Sequence, residues 1–299
     1  MLRNISNYSS IAPVNQTTGA YYIKTNRLSY YLLDFWDDIG DPRTRHLPLL
    51  TNGPWTLCAI MLSYLIFTRH IGPALMKHRD PYTLRHTMLL YNTVLVVCNV
   101  YFFIEALVCI GFGRDLLDFQ FPSKYDTSPR AMRMLYSGYA YFLTKFLDLF
   151  DTVFFVLRKK YSQITILHLY HHTIVPMLGW MAMKISPTAA PIGLFAIANS
   201  FVHTVMYTYY ALSALGPSVR PYLWWKKYLT ILQLCQFVIY GVYYTVFLFA
   251  QSGYPAIYMS IGFIQPFIFF YMFWQFFHYS YNGRGNNNKH NSTGSKKQS

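Results

Sequence analysis

From Tyr228 to Gly283 the chain carries no Lys, Arg, Asp or Glu. A bilayer crossing takes ~20 apolar residues, and the break QSGYP at residues 251–255 divides this run into two crossings. Stretches at 47–68, 87–104, 161–183 and 185–219 are near or above the same length and nearly free of charge. A further apolar stretch, 134–157, is interrupted by Lys145, Asp148 and Asp151. The pattern predicts an all-α membrane protein with about seven transmembrane helices. Composition agrees, with 12% charged residues against about 25% in soluble domains. The expected organisation is a lumenal N-terminal segment at 1–46, a helical membrane domain at 47–281, and a disordered tail at 282–299 rich in Asn, Gly, Ser and Lys.

The formal net charge of +14 does not point to nucleic acid, because its distribution follows the loops. Arg69, Lys77, Arg79 and Arg85 fall in the first loop. Arg158, Lys159 and Lys160 fall in the third, Arg220, Lys226 and Lys227 in the fifth, and Arg284, Lys289, Lys296 and Lys297 in the tail. The alternate loops have little excess positive charge. This is the positive-inside pattern, and it predicts a lumenal N-terminus and a cytosolic C-terminus. Sequons at Asn4, Asn7 and Asn15 agree with a lumenal N-terminal segment. Residues 1–25 lack the apolar core of a signal peptide, so the first helix is expected to start insertion. The tail ends KKQS, and Lys296 and Lys297 resemble a dilysine signal for return to the endoplasmic reticulum. The four cysteines form no CxxC pair and read as small buried apolar side chains inside the spans.

An ionisable residue near a helix centre costs about 2.5–3.5 kcal/mol on insertion scales, so those in the spans should pair or face a wet cavity. In KFLDLFDT, Lys145, Asp148 and Asp151 are spaced i, i+3, i+6 and are expected to share one helical face. HLYHHT sets His168, His171 and His172 at i, i+3, i+4. HTVMYTYY does the same for His203, Met206, Tyr207 and Tyr210, with Asn199 one turn earlier, and TILQLCQF aligns Thr230, Gln233 and Gln236. By the predicted topology all four stripes lie in the cytosolic half of the membrane and form one polar chamber. Purely structural Lys–Asp pairing is the plain alternative. A metal site stays open on spacing alone, since histidines at i and i+3 or i+4 can share an ion. Di-iron desaturases, which also carry HxxHH, need more histidine clusters than this chain has. A receptor is disfavoured by the absence of an acidic-Arg-Tyr motif after the third helix and of NPxxY in the seventh. A transporter draws no support from repeats or paired broken helices.

In order and spacing, KFLDLFDT, HLYHHT, NSFVHTVMYTYY and TILQLCQF resemble the signature set of the very-long-chain fatty acid elongase family. DPRTRHLP and YLWWKKYLT resemble it too, over about residues 41–281 in all. One departure is Asp148, where the family usually has Glu. The resemblance implies a protein of the endoplasmic reticulum membrane with six helices enclosing an acyl-chain tunnel. It implies a 3-oxoacyl-CoA synthase, an acyltransferase that condenses malonyl-CoA with a long-chain acyl-CoA and releases CO2 and CoA. Reductase and dehydratase partners of the elongation cycle, and association within the membrane, follow from the same likeness. No metal or bound cofactor is expected, and no glycine-rich dinucleotide loop is present. Guided by the family, an acyl-imidazole on His171 is the expected intermediate. His203 would assist, His168 and His172 would orient it or move protons, and Lys145, held by Asp148 and Asp151, would bind CoA or the thioester end. Asn199, Met206, Tyr207, Tyr210, Gln233 and Gln236 are candidate substrate contacts. Arg158, Lys226 and Lys227 would draw the CoA phosphates to the chamber mouth. A cysteine nucleophile is disfavoured: Cys235 lies ~200° from Gln233 and ~100° from Gln236 around its helix.

Overall fold

The computed structural model describes residues 30–282. The predicted sequons and the Lys296–Lys297 pair lie outside the described residues. Within them the protein is helical: α1 Phe35–Ile39, α2 Trp55–Ile66, α3 Gly72–Met76, α4 Arg85–Cys109, α5 Pro129–Leu147, α6 Phe150–Leu157, α7 Ile166–Ile185, α8 Ala190–Ala214, α9 Lys226–Ala250 and α10 Ala256–Phe277. The π-helical turn Phe67–Ile71 joins α2 to α3 without a break. The only β pairing among the described residues is an isolated bridge between Gln120 and Ser252.

Five segments are long and apolar enough to cross a membrane: Trp55–Met76, Arg85–Cys109, Ala190–Ala214, Lys226–Ala250 and Tyr258–Tyr281. The two other expected crossings correspond to α5 with α6, and to α7, whose polar side chains lower their apolarity. Outer faces are apolar where lipid would lie, as with Leu90, Val97 and Ile104 of α4, each more than half exposed. The first crossing starts later than its sequence suggests, at Trp55 rather than 47. Pro48 and the Gly53–Pro54 pair hold residues 47–54 in turns, and the helix then continues past Arg69 to Met76. Proline fixes φ and lacks an N–H, so it belongs at a helix start and not inside one.

Helices α4 and α8 pack along each other, as do α9 and α10, with α5 against α7 and α8 against α9. Arg85 at the start of α4 donates to the carbonyls of Ala214 and Leu215 at the end of α8. Those last carbonyls have no partner within their own helix, and a cation there also offsets the helix dipole.

At the opposite end the segment before the first crossing forms a cap. Lys184, fully buried near the end of α7, donates to Asp37 Oδ1 at 3.1 Å and to the Leu50 carbonyl at 2.8 Å. The Asp41 N–H donates to the Lys184 carbonyl at 2.7 Å. Asp41 is itself buried and ion-paired with Arg43, which also donates to the Asp126 carbonyl. Lys124 donates to the carbonyls of Ile39 and Gly40, and burial pushes its ammonium below the usual lysine range. Leu47 and Leu50 complete the attachment by packing with Leu57, Phe142, Trp180 and Met183.

At Gly40 the cap lies close against Lys184 of α7. A Cβ there would lie 2.7 Å from the Trp36 carbonyl oxygen and 2.8 Å from Lys184 Cε. Overpacking of this kind costs about 1–3 kcal/mol. Gly40→Ala should therefore lower the melting temperature of detergent-purified protein by several degrees. Gly241→Ala should not, because its added methyl would meet nothing nearer than 3.7 Å. Equal melting temperatures for the two variants would show that the cap does not depend on the close approach.

Candidate active site

A cavity of about 170 Å³ runs between the helices, lined by residues of α5, α7, α8, α9 and α10. Five helices thus bound it, where six were expected. Helix α4 packs against α5 and α8 and lines an adjoining cavity that shares Gly138, Tyr141 and Ile192 with this one. One end of the cavity is polar, with Lys145, His171, Asn199, His203, Gln233 and Gln236. The other end is apolar and aromatic, with Met181, Ile192, Tyr244, Tyr258 and Ile261.

Each polar residue arrives there by helical spacing. On α7, Thr165 caps the helix by accepting from the His168 N–H at 3.2 Å. Helical periodicity then turns His171 and Val175 onto the cavity face. On α9, Gln233, Gln236, Phe237, Tyr240 and Tyr244 follow the three- and four-residue repeat that makes one stripe. Cys235 falls off that stripe and is exposed on the outer face, as its predicted angles require. Of the other cysteines only Cys109 is buried.

Lys145 is 4% exposed, and three groups surround it. Its Nζ lies 3.4 Å from Asp148 Oδ2, 3.2 Å from Asn199 Oδ1 and 4.3 Å from the centre of the Tyr141 ring. The Tyr141 hydroxyl donates to the same Asn199 oxygen at 2.7 Å. Asp148 is set by a break in the helix. Helix α5 ends at Leu147, and the Leu149 and Asp151 N–H groups donate to carbonyls only three residues back. The expected single helical face for Lys145, Asp148 and Asp151 is therefore a kinked one, because such tightened turns change the helical period. Both carboxylates still meet one phenol: Tyr207 Oη is 3.0 Å from Asp148 Oδ1 and 3.1 Å from Asp151 Oδ2. Burial of Asp148 and Lys145, with Asp151 half-buried beside them, is tolerated only with such dense pairing.

The histidines separate into different environments. His171 lines the cavity, with its ring centre 6.2 Å from that of His203 and 5.7 Å from that of Phe269. His203 Nδ1 lies 3.9 Å from Asp148 Oδ2 and has no hydrogen-bond partner among the described residues. His168 and His172 do not line the cavity, and their ring centres are 4.2 Å apart. His168 Nε2 shares a 2.7 Å hydrogen bond with Thr152 Oγ1, which in turn lies 2.8 Å from the Tyr64 hydroxyl of α2. Among the described residues no set of three His, Cys, Asp or Glu side chains converges as a metal-ligand group.

Asp148, Asp151, Met206, Tyr207 and Tyr210 also lie outside the lining. The first, second and fourth form the layer behind Lys145, Met206 Sδ is 3.8 Å from Gln233 Nε2, and Tyr210 is partly exposed against Tyr207. Arg158 packs on Met88, while Lys226 and Lys227 are exposed, with Lys227 over the Phe277 ring. Tyr141 is a site residue that the motifs do not contain. Its position one turn before Lys145, on the same face, is the signal that marks it. Tyr64 has no comparable signal, because its partner Thr152 lies far along the chain.

The arrangement offers a neutral-capable imidazole and amide groups at the head of an apolar channel, with one ammonium fixed beside them. Such a site suits a molecule with a reactive polar head and a long apolar tail. The sequence matches the ELO, GNS1/SUR4, family over residues 49–289. It is 40% identical over 246 residues to very long chain fatty acid elongase 1 of Homo sapiens, covering 81% of this chain and 86% of that protein. It is 41% identical over 248 residues to elongase 7 of Rattus norvegicus, covering 76% and 85%. Elongase 7 of Drosophila melanogaster is 37% identical over 258 residues, covering 86% and 77%.

Proposed function

Because the chain belongs to the very-long-chain fatty acid elongase (ELO, GNS1/SUR4) family, we propose that it is a 3-oxoacyl-CoA synthase condensing malonyl-CoA with a long-chain acyl-CoA. One observation carries this reading: His171 stands at the polar head of an otherwise apolar cavity, beside Lys145, Asn199 and His203. An acyl chain occupies the apolar part, which brings its thioester carbonyl to His171. The imidazole nitrogen bonds to that carbon as the C–S bond breaks and CoA leaves as its thiol. Malonyl-CoA then loses CO2, and the resulting carbanion attacks the acyl carbon and displaces the imidazole to give 3-oxoacyl-CoA. Lys145, held by Asp148 and Asn199, stabilises negative charge on the thioester oxygen. His203 receives or returns the proton. Arg158, Lys226 and Lys227 attract the CoA phosphates from the cytosolic side.

The same reading takes the protein as resident in the endoplasmic reticulum membrane, with a lumenal N-terminus and a cytosolic tail carrying Lys296 and Lys297. Reduction and dehydration of its product fall to partner enzymes. The test is incorporation of labelled malonyl-CoA by microsomes supplied with acyl-CoAs of graded length, with and without a chelator. Incorporation that depends on acyl length and survives chelation supports the reading. No incorporation with any acyl-CoA, from well-expressed protein, removes it, and loss on chelation turns the histidines back to a metal. Cys235→Ala should keep incorporation within about twofold, as a substitution on an outer face away from site features does. A collapse of activity in that variant would give the covalent step to the cysteine.

A further inference from the structure

We propose that Tyr244, seated against the bare backbone of Gly262, sets the length of acyl chain that the cavity admits. The inference rests on the elongase reading and assigns its length selection to one contact. Tyr244 of α9 and Gly262 of α10 both line the cavity, on opposing helices. A Cβ on Gly262 would stand 2.5 Å from Tyr244 Cε1, 2.9 Å from Cζ and 3.0 Å from Oη. The phenol therefore fills the space a side chain at 262 would take, and the missing methyl lets the ring lie back against α10.

Tyr243 and Phe247 flank the ring along α9, with centres 6.0 Å and 6.2 Å away. With α10 behind it and these rings beside it, displacement can only carry the phenol into the cavity. Tyr244 stands eight residues beyond Gln236, about 12 Å along the helix from the polar head. Tyr258, one turn before Gly262 and 4% exposed, lines the same end of the cavity. A ring pushed inward at that depth would meet the tail of a long acyl chain and spare a short one. A hydrophobic pocket discriminates about 10–200-fold per methylene gained or lost, so a displacement of part of one ring is sufficient.

The experiment compares acyl-CoAs of graded length in the malonyl incorporation assay. Gly262→Ala should lower the ratio of long-chain to shorter-chain rates by about tenfold and move the preferred substrate down by at least one elongation step. Tyr244→Leu should move it up. Gly262→Ala/Tyr244→Leu should keep the upward shift of Tyr244→Leu, because no ring remains to be displaced. If Gly262→Ala does not accumulate, Tyr244→Leu alone decides. An unshifted length profile in Tyr244→Leu, or an even loss at every length, overturns the gauge while the elongase reading stands. A wild-type protein that incorporates no malonyl unit at any length overturns both.

Discussion

Replacing His171 with alanine should reduce malonyl incorporation by roughly a thousandfold or more, since removal of a covalent nucleophile leaves only binding and charge stabilisation. Three histidines crowd the first turns of α7, yet only His171 reaches the cavity. His168 is bonded to Thr152, and His172 is buried against both of the others. The loss should appear in kcat and should not be recovered by raising malonyl-CoA, because a nucleophile acts on the reacting carbon rather than on binding of the second substrate. A single-turnover experiment sharpens the test. Wild-type protein given labelled acyl-CoA alone should hold label after denaturation, and His171→Ala should hold none. If His171→Ala kept near-normal condensation while His203→Ala lost it, the covalent step would belong to His203, whose Nδ1 is unpartnered among the described residues.

Lys145→Met should destabilise the protein by about 3–5 kcal/mol, the penalty for stripping one partner from a buried ion pair. Lys145 and Asp148 are 4% and 3% exposed, and Asp151 shares the Tyr207 hydroxyl with Asp148. Without the ammonium, two carboxylates face each other across one phenol hydrogen. The melting temperature of detergent-purified protein should fall, and the folded yield with it. Lys145→Met/Asp148→Asn should recover a large part of the loss by removing the stranded charge. If the double variant is as unstable as the single one, Lys145 supports the fold through Asn199 and Tyr141 and not through its carboxylate partner.

The crossings were legible because bilayer insertion acts on local sequence: a run such as 228–250 reads the same in any tertiary context. The four polar stripes were legible for a related reason, since an ionisable residue in such a run needs a partner and helical spacing shows which face it occupies. What spacing left out is how neighbouring faces divide. His168, His171 and His172 share one face by periodicity, but His168 turns to Thr152 of α6 and His171 to His203 of α8 and Phe269 of α10, and only packing decides which ring meets the cavity. The kink at Asp148 was hidden because neither Pro nor Gly marks it. The cap was hidden too, because Lys184 reads as a lone loop cation until Asp37 and Leu50 are brought to it from far upstream.

That upstream distance sets an order of events during synthesis. Asp37 and Lys184 are 147 residues apart, and ribosomes add about 5–20 residues per second. The cap is therefore made roughly 7–30 s before the lysine that fastens it. During that interval Asp41, Trp36 and Leu50 wait beside the first crossing with their buried partners not yet made. A nascent chain that stalls before α7 is complete keeps this segment undocked, so the first part translated is among the last to settle. Quality-control factors would meet an unfastened cap in every incomplete chain and a closed one in every finished chain.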